Sequence, residues 1–130
     1  MLHTDLAVVD RQLQPLAASF WAMQDQDPVA ARHLRRNLVG NCAAGCTILI
    51  NRALRDRAVP IPPAAIMHDW WLMLVASAFG HVIQLPLPMV LYRQHGRNAL
   101  GAQRWDLSRI IREARGGPMA RSGWPWQWNG

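Results

Sequence analysis

The sequence predicts an α/β fold: one mixed sheet with helices packed against it. Three observations carry this. Short apolar runs suited to buried strands recur at Leu6–Val9, Thr47–Ile50, His81–Leu85 and Met89–Tyr92. Between them lie helical segments, of which the longest is an apolar run from Trp70 to Phe79. The chain has 130 residues, 51% of them hydrophobic, which gives material for one modest packed domain.

Taken in order, Leu6-Ala7-Val8-Val9 is a short strand that runs into a polar turn and Pro15. Ser19–Met23 is an apolar patch without a clear period. Pro28 to Leu38 is predicted as a short basic helix, with proline in the first turn, where its missing N–H costs nothing. Thr47–Ile50 is a buried strand. Asn51 caps a helix running to about Ala58. Pro60-Ile61-Pro62-Pro63 then feeds a helix capped by Asp69 and ended by Gly80. His81–Leu85 and Met89–Tyr92 are two strands separated by a Pro-Leu-Pro bend. Trp105–Arg115 is an amphipathic helix with Leu107, Ile110, Ile111 and Ala114 on one side. Residues 1–115 form the domain. Residues 116–130, with Trp124, Trp126 and Trp128 among glycine and proline, are expected as a disordered tail.

The net charge of +6 comes from fourteen arginines and no lysine. These are scattered, and groups such as Arg32, Arg35 and Arg36 are expected on solvated helix faces. A nucleic-acid interface needs a contiguous patch with stacking or base-reading side chains, so no nucleic-acid partner is expected. Attraction to anionic lipid is another use for such charge. Only 17% of residues are charged, which leaves apolar surface uncovered. No run reaches the roughly 20 apolar residues of a membrane span, and no N-terminal signal pattern is visible. A cytoplasmic location follows as an expectation. Cys42 and Cys46 lack zinc or redox spacing and are expected as buried reduced thiols.

The chemistry concentrates at Ile66-Met67-His68-Asp69-Trp70-Trp71, at the mouth of the apolar helix. An aspartate before a helix is most often a cap. A carboxylate fixed at the positive end of a buried helix also tends to stay ionised and can serve as a base. A second block, Leu91-Tyr92-Arg93-Gln94-His95-Gly96-Arg97-Asn98, lies downstream, and Gly45-Cys46-Thr47 lies upstream.

These three blocks, in this order, resemble the C-terminal half of family 2 glycosyltransferases, especially rhamnosyltransferase-like bacterial members. The likeness runs from about His3 to Trp105. It implies a partial GT-A-type sheet, the nucleotide-diphospho-sugar transferase fold, truncated at its N-terminus. It makes Asp69 the catalytic base and places His68 and Trp70 on the acceptor side. Arg93 falls near the diphosphate of the donor, and His95 near its metal. Asp5 resembles an aspartate of a central strand. The reaction implied is inverting transfer of a sugar from a nucleotide-sugar donor to a saccharide or lipid-linked acceptor, with Mg²⁺ or Mn²⁺ on the leaving diphosphate. Lipid-linked acceptors would bring the protein to the inner face of the cytoplasmic membrane.

The family's nucleotide-binding unit and Asp-X-Asp motif have no counterpart here. Asp25-Gln26-Asp27 has the letters, but its polar setting before Pro28 marks it as a turn. The expectation is therefore a transferase part that is inactive by itself. Its rival is a non-catalytic remnant or interaction module. With strands missing, the edge beside Leu6–Val9 is expected to be open and to favour self-association.

Overall fold

The structure, a computed structural model, describes residues 1–94 of the chain. His95, the Trp105–Arg115 helix and the tail lie outside the described residues. Within them is a mixed four-stranded sheet with helices packed on it.

The central strand is β1, Leu2–Val9. It begins four residues before the apolar run that marks it, because His3, Thr4 and Asp5 are polar yet buried. One edge of β1 pairs in parallel with β4, Ile83–Arg93, from Leu2 opposite Ile83 to Val9 opposite Arg93. The other edge is shared. The two-residue strand β3, Ile48–Leu49, pairs with its start, and β2, Pro15–Ala17, pairs with its end. β2 lies where the sequence predicts only a polar turn. The turn exists, but it is the hairpin bend before β2. Asp10 Oδ1 accepts from the amides of Gln12 and Gln14, both at 2.8 Å, and Leu13 takes a left-handed φ of 63°.

On one edge β1 is paired along its length by β4; on the other it is paired at Leu2–His3 and Val8–Val9, and Leu6 and Ala7 meet no described strand there. β2, β3 and β4 each pair only with β1, so each has an outer edge that no described strand covers, and the longest is that of β4. β4 is also one strand where two are expected. While β1 advances from Thr4 to Leu6, β4 advances from Leu85 to Val90, so the residues around Pro86 and Pro88 bow out. A bulge on an edge strand tolerates proline, because the missing N–H leaves no ladder bond unmade. Ile83, Leu87, Met89 and Leu91 stay more than half exposed along this strand.

The basic segment is not one helix. It forms a 3₁₀ turn, Ala30–Arg32, and a single α-turn, α2, Leu34–Asn37, with His33 extended between them. The buried Asn37 side chain fixes this break by donating to the Ala31 carbonyl at 2.8 Å. The expected strand from Thr47 begins instead as a 3₁₀ turn, Gly45–Thr47, and becomes β3 at Ile48. Ser19 caps the four-residue helix α1, Phe20–Met23. Asn51 caps α3, Arg52–Ala58, its side chain accepting from the Leu54 amide at 3.0 Å as the sequence predicts.

The long helix α4 spans His68–Phe79. Its N-cap is Met67, so Asp69 is not the cap but the second helical residue. The helix buries one face rather than its whole surface. Met73 is fully covered, with Trp70, Val75 and Ala76 nearly so, whereas Phe79 is 67% exposed. Met73, Val75 and Ala76 join Trp21, Ala43, Leu54, Ala58 and Val82 in the core. No described helix is long and apolar enough to cross a membrane.

Candidate active site around Asp69

Asp69 sits in the first turn of α4 and is 6% exposed. Its neighbours come from the loop before β3. The Asn41 Nδ2 donates to Asp69 Oδ1 at 3.2 Å, and the Gly45 amide donates to Oδ2 at 3.1 Å. The Trp70 amide donates to Oδ1 at 2.7 Å. Asn41 is itself fixed, because its amide group donates to the Ala43 carbonyl at 2.9 Å and accepts from the Ala43 amide at 3.0 Å. The carboxylate is therefore held at both oxygens by groups that cannot rotate freely. Sequence reasoning missed Asn41 and Gly45 as partners. The only local signal is the lack of helical or strand pattern between Asn41 and Gly45.

The Gly45 backbone is closely approached by His68, so a side chain at position 45 would push the exposed imidazole aside. A Cβ built there would fall on His68 Nε2 and within 3.6 Å of Asp69 Oδ2. The exposed His68 imidazole thus lies over the Gly45 backbone, beside the carboxylate.

Burial raises the Asp69 pKa above the usual carboxylate range. The charge of His68 and the amides of Trp70 and Gly45 oppose the rise without cancelling it. This corrects the expectation that the helix terminus decides: desolvation outweighs it. The Cys46 thiol is also raised, by burial and by the nearby Asp69 charge. Yet Cys46 is exposed as a residue, contrary to the expected pair of buried thiols. Cys42 is buried, with its thiol pushed up to about 11.

Trp70 is 9% exposed and donates its indole N–H to the Asn37 carbonyl at 2.6 Å. Trp70 also lines a cavity of about 350 Å³ together with Leu38, Pro62, Ile66 and Met67. His68, Asp69 and Trp70 are thus brought together. Arg93 stands apart at the end of β4, opposite Val9.

Asp5 has a structural task. Its Oδ1 accepts from the amides of Leu6, Phe20 and Trp21 at 2.8, 3.1 and 3.2 Å, and its Oδ2 accepts from the Ser19 hydroxyl. It ties α1 to the central strand. Asp25-Gln26-Asp27 forms the turn read from the sequence. Asp27 Oδ1 accepts from the Val29 and Ala30 amides at 2.9 and 3.2 Å. Among the described residues, no three His, Cys, Asp or Glu side chains converge as a metal would require.

No family model, curated protein or solved structure matches this chain.

Proposed function

We propose that this chain is the acceptor-side part of an inverting, family 2-type glycosyltransferase, with Asp69 as its general base. The observation that supports this most is the state of the Asp69 carboxylate. It is buried, fixed at both oxygens, and pushed toward a higher proton affinity by burial. A purely structural aspartate serves better with a lowered pKa. A raised one brings the proton affinity closer to working pH, where general-base catalysis is most effective.

In this reading Asp69 accepts the proton of an acceptor hydroxyl. The hydroxyl oxygen forms its bond to the anomeric carbon of the donor as the bond to the diphosphate breaks, and the nucleoside diphosphate departs with the electron pair. Asn41 and Gly45 hold the base in place, so its geometry is set before substrate arrives. His68 stands at the exposed mouth. Arg93 is assigned to the donor diphosphate on the resemblance, as is His95 beside the cation.

The test mixes the 130-residue chain with the nucleotide-binding half of a family 2 glycosyltransferase and follows sugar transfer from a panel of nucleotide sugars with Mg²⁺ or Mn²⁺. Transfer should appear in the mixture. Asp69→Asn should lower it by about 10²–10⁴-fold. Transfer at an undiminished rate by the Asn variant would eliminate Asp69 as base. No transfer under any combination would favour the non-catalytic module.

A further inference from the structure

A cavity of about 320 Å³ lies between α3, the last turns of α4 and the start of β4. It is remote from Asp69, which stands ten positions before Phe79 on α4, a separation of about 15 Å. Leu54, Val75 and Ala76 form its buried lining, and Phe79 and Ile83 its exposed apolar lining. Water against such walls finds few partners, so an apolar group that displaces it gains free energy.

The charge at this cavity has one sign. Arg57 lines it and no acid does. The guanidinium carbon lies 5.3 Å from the centre of the Phe79 ring. Stacking of this kind steadies a guanidinium and leaves its in-plane N–H groups free to bind. Asp56, the adjacent residue in sequence, is already engaged by Arg55 at 2.7 Å and by Arg52 at 3.7 Å, and neither ion pair includes Arg57. With three arginines and one aspartate, α3 carries two net positive charges. The carbonyl end of α4 opposes an anion with about half a charge, less than the full charge of Arg57. Asn51 also lines the cavity. Its side-chain oxygen is committed to the Leu54 amide at 3.0 Å, so the group left over is its donor NH₂.

We propose that this cavity binds a small carboxylate with an apolar body, the carboxylate on Arg57 and the body against Leu54, Val75 and Ala76. A planar guanidinium meets a carboxylate through two parallel N–H groups, which selects this anion. The cavity is at the small end of ligand sites, so it suits a single ring or a short branched chain. Because Arg57 is exposed to solvent, the dissociation constant should be on the order of 0.1–1 mM. The site binds its ligand whether or not the chain transfers sugar.

NMR titration of the isotope-labelled full chain tests this, with phenylbutyrate as the probe and phenylbutanol, phenylbutylamine and acetate beside it. Phenylbutyrate should shift the amides of Ala53, Arg57, Phe79 and Ile83 in a saturable way. Phenylbutanol should bind about ten-fold more weakly, and the amine and acetate more weakly still. Arg57→Gln should weaken phenylbutyrate about ten-fold and leave phenylbutanol nearly unchanged. Arg11→Gln removes the same charge beyond the other end of β1 and should change neither. Ala53→Phe fills the cavity from an exposed position and should abolish the shifts, with circular dichroism checking the fold.

Equal affinity for phenylbutyrate and phenylbutanol would overturn the proposal, as would equal losses in the Arg11 and Arg57 variants. Tighter binding of the amine would overturn it too. So would shifts that map to the surroundings of Asp69, or no saturable shift at ten times the expected dissociation constant. If Ale53→Phe fails to fold, the Arg57 variant and the ligand panel still decide.

Discussion

His3 makes the stability of this fold depend on pH in a calculable way. Its side chain is fully buried in β1, and neither ring nitrogen has a hydrogen-bond partner. The ring meets Trp21 edge-on, with centroids 5.3 Å apart. Burial, assisted by the charge of the N-terminal ammonium, lowers the His3 pKa from 6.5 to about 4. The unfolded chain takes up a proton on this histidine below about pH 6.5, and the folded chain does so only below about pH 4. Between those values the unfolded state binds more protons, so stability falls as pH falls. Working the two pKa values through the linkage relation gives a loss of about 2 kcal/mol between pH 7.5 and pH 5, and about 3 kcal/mol in full. The assay is urea unfolding followed by tryptophan fluorescence at pH 7.5, 6 and 5. Other groups titrate in this range, so the measured quantity is the difference between wild type and His3→Leu. The leucine variant fills a similar volume and leaves no orphaned nitrogen. Its stability at pH 7.5 should match or exceed wild type, and its loss on acidification should be smaller by about 2 kcal/mol. Parallel pH profiles for the two proteins would refute the argument and imply that His3 finds water or a partner in solution.

Three other outcomes follow from the same physics. Asp5→Ala leaves the amides of Phe20 and Trp21 and the Ser19 hydroxyl without their acceptor. It should cost about 3 kcal/mol in urea unfolding, and Asp5→Asn should cost less, because Oδ1 persists; a cost below about 0.5 kcal/mol for the alanine would contradict its tie to α1. Leu87→Lys with Met89→Lys places charge on the open edge of β4 and should reduce self-association in sedimentation velocity, whereas an unchanged oligomer distribution would move the seam elsewhere. Asn41→Ala removes a donor to the ionised Asp69, so the Asp69 pKa should rise further, as followed by carboxyl NMR titration. A fall, or no change, would show that Asn41 does not position the base.

Local chemistry was legible where it acts locally. Asn51 capping α3 and the apolar run of α4 required nothing beyond their neighbours in sequence. The start of β1 was hidden because buried polar residues break the apolar pattern, and their burial depends on α1 and β4 packing around them. β2 is a strand only because β1 pairs with it, and three residues carry no period. The two prolines divided β4 on paper, but a bulge at an uncovered edge absorbs both. At the site, the aspartate stood out in the sequence. Its partners did not, since Asn41 and Gly45 lie 28 and 24 residues away and are brought there by the fold. The sign of the Asp69 pKa shift was likewise out of reach, because it turns on how deeply the first turn of α4 is buried.

The strand order has a consequence for synthesis. Among the described elements, the central strand β1 leaves the ribosome first and its full-length neighbour β4 leaves last. The Met1 ammonium donates to the His81 carbonyl, 80 positions along the chain. Closing so long a loop is slow, and contacts of this range reward the chain only after most of it is made. Until β4 arrives, Leu6, Val8 and Val9 present a nascent apolar ribbon with one entire side vacant. A chaperone that grips extended apolar segments would meet its substrate as soon as β1 emerges, and its release would be timed by the emergence of residues 83–93.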